Sequence, residues 1–141
     1  MSKNLIPSMK LSYAAAARIL AAAVAHAESM KVPQCIAVMD DGGHLLAYGR
    51  TDGAAALAGG PALRKAQVAA ERRHPSGALP KEYELGVGLA TDGHYTNLTG
   101  GLPIVLEGHH VGGIGVSSGS GDEDLAVARA GLAAVGAQTQ F

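Results

Sequence analysis

A single cysteine, Cys35, stands in 141 residues, so no internal disulfide can form. No Cys/His spacing matches a structural zinc site either, and the want of a disulfide points to a reducing compartment. An excess of charge of either sign is also missing. Eleven Lys and Arg oppose twelve Asp and Glu, for a net charge of -1, and such a chain carries no basic footprint for nucleic acid or an anionic membrane. Neither partner is expected. No stretch reaches the roughly 18 uninterrupted apolar residues of a membrane helix, and neither an internal repeat nor a low-complexity tail appears. The chain length fits one domain spanning residues 1–141, large enough to bury a core without staples.

Lys3 and Lys10 precede an alanine-rich run closing on Ala25-His26-Ala27, the outline of a signal-peptide cleavage site. Arg18 interrupts that run, and the same segment reads as a folded helix, so a soluble cytoplasmic protein is expected. Ser12 is placed to cap this helix, which runs to about Met30 and stops before Pro33. Ile19, Leu20, Ala23, Val24, Ala27 and Met30 form its apolar stripe. "QCIAVMD" and "HLLAYGR" flank a turn at Asp41, Gly42 and Gly43, which predicts a hairpin. "PALRKAQVAAERR" predicts a second helix starting at Pro61 and ending before His74-Pro75. Ser76 to Thr99 reads as mostly loop, a usual home for binding residues. "PIVLEG" and "HHVGGIGVS" predict a second hairpin, and "DEDLAVARAGLAAV" a third helix with Leu125, Ala128, Leu132 and Val135 inward. Helix, hairpin, helix, hairpin, helix is the order of an α+β domain, an antiparallel sheet flanked by helices.

The stretch "GGLPIVLEGHHVGGIGVSSGSGDED" tests for a phosphate loop. A phosphate at a helix start needs free amides and a positive field, whereas Asp122, Glu123 and Asp124 complement the helix dipole and would repel it. The spacing also misses the Walker and GxGxxG patterns, and no acyl-transfer serine is expected at Ser117 or Ser118. Gly108 suits a tight hairpin turn. Gly112, Gly113 and Gly115 within a strand imply close approach of another backbone, a ligand or a subunit. His109 and His110 are strand neighbours that point to opposite faces, so no shared metal is expected.

Together, "LSYAAAARILAAAVAHAESMKVPQCIAVMDDGGHLLAYGRTDGA", "LRKAQVAA" and the glycine-rich stretch resemble the GlcG/HbpS-like family, related to the C-terminal domain of the diol-utilisation protein PduO. These pieces cover most of the chain in the family's order. The resemblance implies a profilin-like α/β sandwich assembling into a homo-oligomer, as a dimer, tetramer or octamer. It implies haem binding in some relatives and an association with diol, corrinoid, glycolate or aromatic catabolism in others. Residues 71–99 depart from the family pattern and supply His74, His94 and Tyr95, which leaves room for a distinct substrate.

Two functions follow as expectations. The first is a small-molecule-binding protein with haem or a related tetrapyrrole as the leading ligand. His26, at the edge of the apolar stripe, is the candidate ligand, against a helix-edge histidine that binds nothing. The second is a cofactor-independent isomerase, hydratase or lyase acting by acid-base chemistry on a small oxo or hydroxy acid or an aromatic catabolite. Arg50, at a strand end beside Asp52, either clamps a carboxylate or pairs with Asp52. Lys65 either binds a carboxylate, acts as a base if burial lowers its pKa, or lies along the surface on its apolar stem. His94 and Tyr95 form a candidate proton-transfer pair on the divergent loop, against a solvated loop, and Glu123 is the most usable carboxylate for a base, against a dipole-complementing one. Gly100 and Gly101 complete the candidate ligand-binding set, and Cys35 reads as a buried structural thiol.

Overall fold

A computed structural model describes residues 2–141. Helix α1 (Tyr13–Met30) leads into the hairpin β1 (Cys35–Asp40) and β2 (Leu45–Arg50), then α2 (Gly59–Arg72) and the short α3 (Glu84–Ala90). The hairpin β3 (Gly101–Leu106) and β4 (His109–Ser117) follows, and α4 (Gly121–Ala133) closes the chain. The four strands form one antiparallel sheet in the order β2-β1-β4-β3. Helices α1 and α4 pack together on one face and α2 lies on the other. This is the α+β architecture expected from the element order.

Local chemistry accounts for the boundaries. The Ser12 side chain accepts a hydrogen bond from the Ala15 amide at 3.1 Å, so α1 starts where its cap predicts. Lys31 ends it in a left-handed conformation. The β3–β4 turn is two residues, Glu107 and Gly108, both at positive φ, as a hairpin matching strand twist requires. Helix α4 begins on a reciprocal cap: Ser120 Oγ accepts from the Glu123 amide and Glu123 Oε1 accepts from the Ser120 amide. Beyond the helix end, Val135 only packs in part against the core, while Val127 joins it fully.

The segment from Ser76 to Thr99 is mostly loop, as expected, with two short helical pieces inside it. It holds α3 and a 3₁₀ turn at Lys81–Tyr83. Seven residues with two glycines give too short a run for periodicity to resolve, and no residue of α3 is buried.

The two faces of the sheet are filled differently. Ile36, Val38, Ile114 and Val116 interleave with Ile19, Ala23, Val127 and Leu132 beneath α1 and α4, each fully buried aliphatic of this size contributing about 1.5–3 kcal/mol. The α2 face is thin, with Cys35, Ala37 and Met39 against Ala62 and Ala66. There β4 presents Gly113 and Gly115, and a Cβ at either would run into the Ala66 or Ala62 carbonyl. The close backbone approach inferred from these glycines is thus main chain against main chain. Gly113→Ala or Gly115→Ala is expected to lower stability by about 3 kcal/mol, whereas Gly86→Ala, in the open on α3, should raise it by up to about 1 kcal/mol. Urea unfolding of the three variants checks this.

Candidate functional site

Strand register gathers the sequence-predicted residues at one end of the sheet. Cys35 lies opposite both Arg50 and Ser117, and Gly101 lies opposite Gly115. Arg50, Asp52, Lys65, Gly100, Gly101 and Glu123 therefore share this end. At its centre Lys65, only 4% exposed, donates from Nζ to the Val116 carbonyl at 2.8 Å and to Asp124 Oδ2 at 2.9 Å. Asp124 Oδ1 accepts from the Gly119 amide at 3.0 Å. The orientation of the Gln34 amide that satisfies its surroundings sets its nitrogen 3.0 Å from Asp124 Oδ1 and 2.7 Å from the Ser117 carbonyl. Burial pushes the Asp124 carboxyl up from its ordinary value, while Lys65, Gly119 and Gln34 pull it back toward ionisation.

The two glycines make room for this pair. A Cβ on Gly100 would sit 2.6 Å from the Val116 carbonyl and 3.0 Å from Lys65 Nζ and Asp124 Cβ. Gly101 donates its amide to Ser76 Oγ at 2.8 Å, and a side chain there would meet the Lys65 carbonyl. Gly100 and Gly101 thus shape a polar interior. Lys65 is neither a surface lysine nor open to a ligand, since its ammonium is enclosed and already has acceptors.

Asp124 corrects the reading of the three acids at the start of α4. Asp122 is exposed and Glu123 is the capping residue, but Asp124 is buried and serves the interior. Its place was signalled, because it stands three, four and seven residues before Val127, Ala128 and Gly131, all on the buried face. Glu123, with Oε1 held by the Ser120 amide, is committed to its helix. Gln34 and Ser76, both buried, were missed because a lone polar residue before a strand or in a loop carries no periodic signal.

The other candidates are spread around the perimeter. Arg50 is exposed and forms no ion pair with Asp52 among the described residues. Asp52 lines an open cavity of about 430 Å³ with Ala27, Glu28, Lys31, Pro33 and Thr51. Thr51 is tied to Gln34 by two 2.9 Å hydrogen bonds, one from the Gln34 amide to Thr51 Oγ1 and one from the Thr51 amide to the Gln34 carbonyl. His26 is half-buried on α1, directly before Ala27, and its ring makes no hydrogen bond among the described residues. His94 is exposed, with Nδ1 2.9 Å from the Thr91 carbonyl, and it lines a shallow cleft of about 70 Å³ with Tyr95 and the α2 residues Gln67 and Glu71. Lys65 and Glu123 do not line the cleft that His94 and Tyr95 share. Gly115-Val116-Ser117-Ser118-Gly119 does have G-x-S-x-G spacing at a strand-to-helix turn, but Ser117 is buried and no histidine is hydrogen-bonded to it. Cys35 is buried, with Sγ 3.6 Å from the Ala55 carbonyl.

Removing one partner of the buried pair strands the other charge, so Asp124→Ala is expected to cost about 3–5 kcal/mol. The double replacement Lys65→Met with Asp124→Leu should recover most of that loss. Chemical denaturation of both proteins decides between a structural pair and an incidental one.

Comparison with known proteins agrees with this architecture. Residues 11–133 match a family model described as haem degrading protein HbpS-like. Protein GlcG of Escherichia coli strain K12 is 37% identical over 108 residues, covering 76% of this chain and 81% of GlcG. A double-mutant form of HbpS from Streptomyces reticuli superposes with a TM-score of 0.83 at 35% identity, over 96% of this chain and 94% of that one. A PduOC:haem complex has a TM-score of 0.84 at 24% identity, covering 94% of this chain and all of the other, a likeness of fold. No helix among the described residues is long and apolar enough to cross a membrane.

Proposed function

The chain belongs to the HbpS-like family, and on that premise we propose that it is a small-molecule-binding protein whose leading ligand is haem or a related tetrapyrrole. The observation that carries the proposal is the match of residues 11–133 to a family described by haem. His26 gives it a physical counterpart. Its imidazole has no hydrogen-bond partner among the described residues, and of its neighbours on the helix face, Ala22, Ala23, Ser29 and Met30, only Met30 is large. The donor set fits haem, which histidine holds through a ring nitrogen. His26 would hold the haem iron through a ring nitrogen, and Lys31, at the neighbouring cavity that begins at Ala27 and without an ion pair among the described residues, would offer a cation to a propionate. When bound, haem supplies an iron centre whose reactivity follows its axial ligand and the polarity around it.

Hemin titration is expected to give a saturable Soret shift, and His26→Ala should weaken binding at least about tenfold, the loss of one ligand bond worth over 1.4 kcal/mol. A flat titration of the intact chain removes haem as the ligand. A shift unchanged by the substitution moves the axial ligand to another residue.

The same protomer leaves Leu85 and Leu89, one turn apart on α3, at 75 and 70% exposed. Such apolar exposure favours a covered surface over a free one, and it supports assembly as a homo-oligomer, a dimer, tetramer or octamer. Light scattering should give a multiple of the 14.2 kDa chain mass, reduced by Leu85→Asp with Leu89→Asp while helical circular dichroism is retained. A monomeric parent protein overturns the assembly.

A further inference from the structure

We propose that the cleft between the N-terminal strap and the β3–β4 turn is a second ligand site, specific for a small organic carboxylate. It lies at the end of the sheet opposite Lys65 and Asp124, because Asp40 pairs with Gly112 there and His109 and His110 open β4. The strap crosses this end by two 2.8 Å contacts to one carboxylate: Ser8 Oγ donates to Asp41 Oδ2 and Lys10 Nζ to Asp41 Oδ1. A cavity of about 390 Å³ results, with Asp41, Arg73, His109 and His110 as its polar lining and Pro7 and Met9 as an apolar wall.

The charges leave this cavity short of an anion. Asp41 is held by Lys10, which also lies 4.0 Å from Asp40 outside the lining, and the contacts of Lys10 and Ser8 keep the Asp41 carboxyl below its ordinary value of 3.8. Arg73, the exposed residue that ends α2 at φ 60°, faces the cavity without a hydrogen bond or ion pair among the described residues. His110 adds a second observation. Its Nδ1 is the one buried side-chain nitrogen or oxygen without a hydrogen-bond partner among the described residues. The ring's other nitrogen, Nε2, also makes no hydrogen bond there but is not shut in, so the edge that His110 offers to the cavity is an unclaimed one. Nδ1 itself is closed off, so Nε2 is the ring nitrogen that a ligand in the cavity would meet.

A guanidinium takes a carboxylate through two parallel hydrogen bonds, and an imidazole nitrogen adds a third. Arg73, the one guanidinium or ammonium in the cavity lining, suits one carboxylate better than a doubly charged phosphate. Pro7 and Met9 would take the apolar body of such an acid. This site uses none of the residues assigned to the tetrapyrrole and stands or falls apart from it.

The test is a titration of the full chain with sodium benzoate, followed by amide NMR at constant ionic strength, with inorganic phosphate as the second arm. Saturable shifts confined to Ser8, Arg73 and Gly108–His110 are expected, weakened at least tenfold by Arg73→Gln and kept by Arg72→Gln. The spectrum of each unliganded variant reports whether its fold is intact. Absence of saturable shifts, shifts scattered over the surface, or shifts that survive Arg73→Gln would overturn the site. Phosphate binding more tightly than benzoate would overturn its assignment to a carboxylate.

Discussion

Lys65 and Asp124 sit on helices that cover opposite faces of the sheet, and they meet past its end through the space that Gly100 leaves empty. Both charges are buried, so each depends on the other and on the Val116 carbonyl, the Gly119 amide and Gln34. A buried pair of this kind is a poor source of net stability, because desolvation offsets the attraction. It penalises misplacement instead: a helix slipped by one residue leaves a bare charge in the interior. The joint thereby fixes α2 and α4 against each other across a sheet that otherwise separates them, and it positions the strand ends around which the perimeter residues are arranged.

How much of this could be read from the residues differs by scale. Helix α1 and its Ser12 cap, both hairpins and α4 followed from patterns a few residues long, which local physics decides. The α+β class followed from their order. Helix α3 did not, because seven residues with exposed Leu85 and Leu89 resemble a loop until they are seen turning. The resemblance of long segments carried the family, which the comparisons bear out.

The site was legible only in part, for a related reason. Lys65, Gly100 and Gly101 were singled out separately, and they are neighbours, but the partner that joins them, Asp124, was hidden among three acids whose helix-start role explains two of them. Arg50 and Asp52 are adjacent in strand and loop, yet no ion pair joins them. Whether two residues face one cavity depends on sheet register and helix rotation, long-range quantities that spacing along the chain does not encode. The interior is filled on both faces, and the cavities lined by Asp52, by His94 and by His110 all open at the surface. A ligand entering any of these three cavities would therefore meet the molecule at its rim.

The contact of α2 with Gly113 and Gly115 has a further meaning for variation. Side chains normally set the distance between a helix and a sheet, so that altering their volume moves the helix. Here the spacer is the radius of a carbonyl oxygen, so long as Ala62, Ala66 and Ala70 on the facing side of α2 stay small. The outward face of α2, including Arg64, Gln67 and Glu71, is accordingly free to drift in sequence while Lys65 keeps its depth and direction. A surface able to diversify over an immobile main-chain contact is a means by which one scaffold can acquire new specificities without renegotiating its interior.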